Sequence, residues 1–186
     1  MSDENKGSAA PDSDIDESMN FLVLRDIAAQ RELTDDELTQ INTMLSQSTA
    51  HIDGDLSQVF GMEALTNVRY RAVGPKGVTL SVQVDYRHLQ PAGQVNGGML
   101  AFLGETAGSI AGYIALGPDS VSRVVGANNN TDFIRPCFPG DTITSQATAI
   151  HLGRTSQLWD VRHTNQHGKL LACTTLRLAV LTPPQK

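Results

Sequence analysis

A polar and glycine-containing segment immediately ahead of an apolar stretch has the residue types for chemistry at a carbonyl group. It runs Gln90-Pro-Ala-Gly-Gln-Val-Asn96, and the pair Gly97-Gly98 then opens the stretch that continues to Leu116. We predict a helix over Gly97–Leu116, ended by Gly117-Pro118. The two glycines would let the backbone approach a ligand closely. Unpaired N–H groups at the positive end of a helix dipole suit a developing negative charge, as in an oxyanion hole.

Glu105 is the one charged residue between Met99 and Leu116. A lone carboxylate on so apolar a helix costs free energy unless it is solvated or hydrogen-bonded. It could be a catalytic group, or it could simply face solvent or meet an arginine elsewhere in the chain. The residue pattern alone leaves both interpretations open.

The spacing of these groups constrains any shared site. Glu105 is eight residues beyond Gly97, so it lies ~12 Å further along the helix axis. Both groups would have to come within roughly 3 Å of atoms at one reacting carbonyl. One helix cannot easily supply both, whereas two antiparallel copies can. If the chemistry is real, we therefore expect at least an obligate dimer, with Gly97 from one subunit and Glu105 from the other.

Three glycines form a smooth stripe along the same helix, four residues apart: Gly104, Gly108 and Gly112. Each costs about 1 kcal/mol relative to alanine in a helix interior. Close packing must compensate for this cost. The stripe could pack on the protein's own sheet or on a second copy of the helix, and the sequence does not decide between them.

The flanking segments have the period-two alternation of strands. Two strands joined by a hairpin at Pro75-Lys76-Gly77 are predicted before the helix. Proline and glycine positions divide the chain after the helix into four more strands, at Ser122–Phe133, Asp141–Leu152, Ser156–Thr164 and Lys169–Leu181. An antiparallel sheet wrapped around one helix accommodates this order, as an α+β fold.

The first fifty residues differ in composition from the rest. Residues 1–18 carry six acidic groups and one lysine, and such a segment is expected to be disordered. Residues 19–50 are predicted to be a helical extension, because Thr34 and Glu37 form a capping-box pattern ahead of an apolar face. We expect the extension to pack against the main domain, residues 51–186, or against a partner subunit.

Composition excludes several classes of function. The formal net charge of −6 argues against general nucleic-acid binding, because nothing neutralises phosphates in bulk. No apolar run approaches the roughly 20 residues that span a bilayer, so no membrane association is expected. The acidic start lacks the features of a signal peptide, and we expect a cytoplasmic protein.

No metal site is predicted from the cysteines or histidines. Cys137 and Cys173 have no ligand spacing and are expected to be buried, reduced thiols. The five histidines, His51, His88, His151, His163 and His167, form no metal or triad pattern and are interpreted as surface or strand residues. Trp159 is expected in the core.

The segment as a whole resembles hotdog-fold acyl-CoA thioesterases, through Gln90-Pro, the Gly97-Gly98 pair and Glu105 eight residues after Gly97. The most similar groups are the 4-hydroxybenzoyl-CoA and phenylacetate-pathway thioesterases. Further motifs fall in family order: Val125-Gly126, Asn130-Thr-Asp-Phe-Ile-Arg135-Pro136, Gly140-Asp141, Gly153-Arg154 and Gly168-Lys169. The resemblance covers roughly Thr66 to Leu181. It implies an antiparallel sheet of about six strands around one long central helix.

The resemblance also implies roles for individual residues. Glu105 would attack the thioester or activate water, with Ser109 positioning that water. The Gly97 amide would be the oxyanion donor, beside Gly98, and Gln90 would orient the thioester carbonyl. Asn96 departs from the family, which usually has histidine there, and asparagine cannot titrate near neutral pH.

Arg135 and Arg154 are candidates to bind the phosphates of coenzyme A, with Arg123 a weaker one; each could instead form an ordinary surface salt bridge. The expected reaction is hydrolysis of an acyl- or aryl-CoA to the free acid and coenzyme A. No metal or cofactor is implied, coenzyme A being part of the substrate, and the family favours a homotetramer built from homodimers. A hotdog hydratase or dehydratase, and a non-catalytic acyl-CoA or lipid binder, remain as alternatives.

Overall fold

A computed structural model of the chain describes residues 21–48, 61–118 and 120–183. The acidic tail predicted for residues 1–18 lies outside this range. The elements are α1 (Phe21–Ala28), α2 (Asp35–Ser48), α3 (Gly61–Leu65), β1 (Arg69–Gly74), β2 (Gly77–Gln83), a 3-10 turn (Tyr86–His88), α4 (Gly97–Ile114), β3 (Arg123–Phe133), β4 (Thr142–Leu152), β5 (Ser156–Thr164) and β6 (Leu170–Leu181). The predicted order of two strands, one long helix and four strands is confirmed.

The six strands form one antiparallel sheet in the order β1-β2-β4-β5-β6-β3. Helix α4 lies across the inner face and contacts every strand of the sheet. The sheet curves around this helix, and the apolar side chains of both meet in one core that includes Leu103, Leu176 and Trp159. The predicted fold class, an α+β hotdog architecture with one central helix, is confirmed.

The glycine stripe of α4 packs on the protein's own sheet. Gly104, Gly108 and Gly112 face successive inward side chains of β6, namely Thr174, Leu176 and Leu178. A Cβ atom at Gly104 would lie 2.5 Å from the Thr174 hydroxyl oxygen, which is closer than side chains tolerate. The stripe therefore brings α4 and β6 together within one chain, and the alternative of a second helix against it is not needed.

The N-terminal helices cover one edge of the sheet. The Asn42 side chain on α2 donates to the Tyr70 carbonyl at 3.0 Å and accepts from the Tyr70 N–H at 2.8 Å, so it replaces a neighbouring strand beside β1. The capping box predicted at the start of α2 is present: the Glu37 N–H donates to Thr34 Oγ1 at 3.3 Å, and the Thr34 N–H donates to Glu37 Oε2 at 2.7 Å.

Strand β3 forms the opposite edge, and no described strand pairs with its outer side. None of its eleven positions is buried, and most, among them Val125 and Phe133, are well exposed. Proteins usually shorten, charge or cover an edge strand of this length, because its free N–H and C=O groups template pairing with another chain. The free N–H and C=O groups on the outer side of β3 are therefore available for pairing.

The structure shows the burial of the single residues that the sequence analysis discussed. Trp159 is buried, as expected, and so is Cys137, where burial and the neighbouring Asp141 raise the thiol pKa to about 12; Cys173 is half-buried. The interpretation of all histidines as surface or strand residues is wrong for His88, which is buried in the 3-10 turn.

No described helix is long and apolar enough to cross a membrane, and the described part of the chain contains no cluster of His, Cys, Asp or Glu that could hold a metal.

Candidate active site

The first turn of α4 presents one free backbone donor. Asn96 is the N-cap, and its side-chain oxygen accepts from the Gly98 N–H at 2.8 Å while its carbonyl accepts from the Met99 N–H at 2.9 Å. The N–H of Asn96 itself donates to the His88 carbonyl at 2.8 Å. Among the described residues, no acceptor meets the Gly97 N–H. This amide, at the positive end of an 18-residue helix, is thus available to an anionic oxygen.

A cavity of about 580 Å³ opens beside this turn. It is lined by Gln90, Gln94, Val95, Asn96, Gly97, Leu100, Phe133, Ile134, Arg135, Pro136 and Cys137. Four of the predicted site residues, Gln90, Asn96, Gly97 and Arg135, therefore meet at one opening. Its volume falls in the range typical of small-molecule sites.

Phe133 narrows the cavity at the Gly97 amide. A Cβ atom at Gly97 would lie 2.9 Å from the Phe133 ring, so this glycine allows the ring to lie directly against the helix N-terminus. The ring is nevertheless 60% exposed in the single chain. An exposed aromatic ring at the mouth of a cavity suits contact with an apolar group of a ligand or of another subunit.

His88 fixes the chain that leads into this turn. Its Nδ1 accepts from the Asp85 N–H at 2.9 Å, so the proton lies on Nε2, which donates to the Thr66 carbonyl at 2.8 Å. Both ring nitrogens are satisfied, which is why the side chain can be buried. The Asp85-x-x-His88 spacing is the cap pattern that could have identified this role from the sequence.

Glu105 lies two turns further along α4 and is held against β3 by neutral donors. Its Oε2 accepts from the Asn129 side-chain amide at 2.9 Å, and its Oε1 accepts from the Ser109 hydroxyl at 3.4 Å. No described arginine or lysine is within ion-pair distance. A Cβ atom at Gly126 would collide with the carboxylate. Glu105 is half-buried, so neither full solvation nor an arginine partner explains its position.

Asn129 was not identified from the sequence, and Gly126 was quoted there only as part of a motif, with no role at the site. Asn129 also donates to the Ala101 carbonyl at 3.0 Å, so its amide group links strand and helix. The available signal was the run Asn128-Asn129-Asn130 inside a predicted strand, because asparagine is depleted in strands and three in succession need a reason. A glycine inside a strand likewise indicates close approach by another group.

Most of the predicted site residues, together with Asn129, therefore fall into two separate groups within one chain. The oxyanion half, defined as Gln90, Asn96, Gly97 and Arg135, lines the cavity. The carboxylate half, defined as Glu105, Ser109 and Asn129, lies on the face between α4 and β3 and does not line it. The Gly98 N–H belongs to neither group, because it donates to the side-chain oxygen of Asn96. Arg154 is exposed on the β4–β5 turn and belongs to neither half.

Comparison with known proteins adds independent information. The sequence profile of the thioesterase superfamily matches residues 92–172. The crystal structure of a thioesterase variant from Pseudomonas aeruginosa is 33% identical, with a TM-score of 0.63 over 74% of this chain and 93% of that chain. The crystal structure of a thioesterase from Haemophilus influenzae is 29% identical, with a TM-score of 0.65 over 78% of this chain and 90% of that chain. A relative in Listeria monocytogenes named 1,4-dihydroxy-2-naphthoyl-CoA hydrolase is 30% identical over 125 residues, which is 67% of this chain and 94% of that protein.

The profile match spans α4 and strands β3 to β5. The similarities include relatives above 30% identity that the chain covers almost completely. The chain therefore belongs to the thioesterase superfamily, as a thioester hydrolase of hotdog fold.

Proposed function

We propose that the protein hydrolyses an acyl-CoA or aryl-CoA thioester to the free acid and coenzyme A, in a site shared between two subunits. The observation that carries this proposal is the division of the candidate site. One chain offers a free amide beside a cavity at the start of α4 and, two turns away, a hydrogen-bonded carboxylate outside that cavity. Neither half can hydrolyse a thioester by itself.

The free edge of β3 supplies the means to join the halves. Within one chain, Gly97 lies against Phe133 at the end of β3, whereas Glu105 lies against Asn129 and Gly126 nearer its middle. Antiparallel pairing of β3 with a second copy would place a two-fold axis near the middle of the strand. The two α4 helices would then run antiparallel, so that each carboxylate half faces the oxyanion half of the partner. The family resemblance favours further pairing of such dimers into a tetramer.

In the shared site, the Gly97 N–H would donate to the thioester carbonyl oxygen and stabilise the charge that develops there. Gln90 would orient the same carbonyl. Glu105 of the partner would either take a proton from the attacking water or attack the carbonyl carbon and form an anhydride that water hydrolyses. Both routes break the C–S bond and give the same products, the carboxylic acid and the coenzyme A thiol. Ser109, which donates to Glu105, would position the water.

Asn96 has a structural role that does not require a side chain able to gain or lose a proton. Its side-chain oxygen is committed to the Gly98 N–H, which leaves Gly97 as the free amide of the turn. We infer that Asn96 serves by holding this amide in place, and that the loss of the usual histidine does not remove the oxyanion donor.

We propose that exposed arginines bind the coenzyme A portion, with Arg135 at the cavity as the first candidate. Arg135 lines the cavity and donates one guanidinium hydrogen to the Leu170 carbonyl at 2.7 Å, which fixes its side chain while other N–H groups remain for a phosphate. Arg154 lies on an exposed turn and is the second candidate. The volume and the apolar lining from Val95, Leu100 and Phe133 fit a medium-sized acyl or aryl group.

The proposal is tested by measuring free-thiol release from a panel of acyl- and aryl-CoA thioesters, with a 1,4-dihydroxy-2-naphthoyl-type aryl-CoA among them. Replacing Glu105 by glutamine should lower kcat on the order of a hundredfold or more, since it removes the central carboxylate. The exposed Glu32→Gln variant is the matched control and should retain full activity. Binding of the thioesters by the wild-type protein without any thiol release would contradict hydrolysis and identify a binding protein.

A further inference from the structure

A continuous series of hydrogen bonds connects the buried interior of the sheet with the Glu105 carboxylate. Ser145 Oγ lies 2.8 Å from His163 Nδ1, and His163 Nε2 lies 3.0 Å from Thr174 Oγ1. Thr174 Oγ1 in turn lies 2.7 Å from Thr131 Oγ1. We name these residues and the next one the polar relay, which consists of Ser145, His163, Thr174, Thr131 and Asn129.

The last two bonds of the relay reach the carboxylate. Thr131 donates its hydroxyl hydrogen to Asn129 Oδ1 at 2.9 Å, and Asn129 Nδ2 donates to Glu105 Oε2 at 2.9 Å. The relay therefore crosses from β4 through β5 and β6 to β3, and ends at α4.

The donor and acceptor roles along the relay follow from the carboxylate end. The Glu105 carboxylate and the Ala101 carbonyl both only accept, so the NH2 group of Asn129 must face them and its oxygen must face Thr131. Each threonine hydroxyl has a single hydrogen. Thr131 uses its hydrogen on Asn129 and must accept from Thr174.

The remaining bonds are fixed in the same way. Thr174 uses its hydrogen on Thr131, so it must accept from the N–H on His163 Nε2. In the neutral imidazole, His163 Nδ1 then carries no proton and accepts from the Ser145 hydroxyl. Every bond in the series thus donates toward Glu105, and this direction requires a neutral imidazole. Burial lowers the pKa of His163 to about 4, which agrees with that state.

The inner half of the relay places polar side chains in the core, where burying them costs free energy. Ser145, His163 and Thr174 are fully buried, and buried polar groups are stable only while they are hydrogen-bonded. Apolar residues of similar shape would serve packing equally well. Gly104 also lacks a side chain where the Thr174 hydroxyl needs room, at 2.5 Å from a hypothetical Cβ.

We propose that the polar relay positions Asn129, and through it Glu105, for hydrolysis; its members beyond Asn129 are positioning residues and do not touch substrate. This inference rests on the proposed function, because it takes Glu105 as the catalytic carboxylate. Asn129 lies on an exposed edge strand, where its side chain would otherwise sample several rotamers. The relay fixes which end of the amide meets Glu105, and no proton needs to move along it.

The test compares Thr131→Val and Thr174→Val with the wild-type protein in steady-state thiol release. Each variant removes one hydroxyl and keeps the side-chain shape, and kcat should fall roughly tenfold while KM stays nearly constant. Thr131→Ser and Thr174→Ser restore the hydroxyl and should restore kcat. Thr175→Val, on the exposed face of the same strand, is the matched control. Unchanged kcat in both valine variants, in protein whose Glu105→Gln variant is inactive, would overturn the relay and leave the proposed function intact.

A second measurement tests the direction of the hydrogen bonds in the polar relay without any substrate. The nitrogen-15 resonances of His163 should report a proton on Nε2 and none on Nδ1 at neutral pH. A neutral ring with its proton on Nδ1 and none on Nε2 would make Thr174 donate to His163, which breaks the direction of the bonds toward Glu105 and overturns the inference. Because this readout does not depend on turnover, it decides the direction of the relay even if the wild-type protein releases no thiol, an outcome that would count against the proposed function alone.

Discussion

The side-chain amide of Asn129 donates to Glu105 Oε2 at 2.9 Å and to the Ala101 carbonyl at 3.0 Å, and so ties the edge strand β3 to the central helix α4. The position of the carboxylate therefore depends on the strand as well as on its own helix. The same strand has the free edge through which we propose that two subunits pair. In this proposal, dimer formation and the orientation of Glu105 are linked through β3.

Replacement of Asn129 should impair catalysis more than binding. In Asn129→Ala, Glu105 loses a charge-assisted hydrogen bond, and kcat should fall at least about tenfold. Asn129→Asp nearly preserves the shape but places a second carboxylate against Glu105, so its kcat should be lower still. The neighbouring Asn130→Ala is the control and should leave kcat unchanged. Equal activity of the alanine variants at positions 129 and 130 would refute the positioning role of Asn129.

The oxyanion role of the Gly97 amide can be tested by proline, because proline removes the N–H and is well tolerated at the first position of a helix. Asn96 has φ −65° and ψ 131°, a conformation that a residue before proline can adopt. Gly97→Pro should lower kcat about a hundredfold or more. Gly97→Ala adds a similar contact with Phe133 but keeps the N–H, and it should lose far less activity. If the alanine variant is as impaired as the proline variant, crowding by Phe133 explains the loss and the amide has no special role.

Asn96 should matter for stability as the N-cap of α4. Asn96→Ala removes the acceptor of the Gly98 N–H and should lower the free energy of unfolding by about 1 kcal/mol. Asn96→Ser and Asn96→Asp keep a capping oxygen and should lose only a small part of this. Urea denaturation at one fixed protein concentration measures the difference, since the stability of an oligomer depends on concentration. A serine variant as unstable as the alanine variant would show that the cap contributes little.

The buried imidazole of His163 should make stability depend on pH. Burial lowers its pKa to about 4 in the folded protein, whereas the unfolded chain binds a proton below about 6.5. The folded state is therefore favoured most above pH 6.5, and this contribution is lost as the pH falls toward 4. Relative to His163→Gln, the wild-type protein should lose on the order of 3 kcal/mol between pH 7.5 and 4.

Unfolding of both proteins by urea across this pH range provides the comparison, and the difference between them cancels the contributions of the other titrating groups. The two hydrogen-bond partners of the ring, Ser145 and Thr174, are neutral hydroxyls. Identical pH profiles for wild type and variant would mean that folding does not lower the pKa of His163, so that the buried ring would take up a proton below about pH 6.5 and lose the neutral state that the polar relay requires.

Much of the fold could be predicted because its local signals agree. The period-two strands, the glycine and proline turns and the apolar α4 all favour the same sheet around one helix, and Gly117 ends α4 in the left-handed conformation with φ +87°. From Gly97 onward the predicted boundaries differ from the observed ones by at most two residues, as expected for frayed ends. The packing partner of the glycine stripe could not be predicted from the sequence, because it depends on the register of α4 on β6.

The candidate site was predicted less completely. Glu105, Gly97 and Gln90 could be proposed from the sequence because they lie in one continuous segment with a distinctive pattern of residue types. Asn129 lies 24 residues beyond Glu105, and its role depends on strand pairing that brings β3 beside α4. His163 and Thr174 were missed for the same reason: their polar groups acquire a task only through contacts between separate strands.

The most direct measurement of whether two subunits share the site is complementation between two inactive chains. Gly97→Pro damages only the oxyanion half and Glu105→Gln only the carboxylate half, so a mixed dimer contains one intact site and one site with both defects. After joint refolding or coexpression in equal amounts, we predict that activity recovers to about a quarter of the wild-type value, because half of the dimers are mixed and each has one working site of two. A mixture that stays as inactive as its two components would contradict a shared site and place both halves within a single chain.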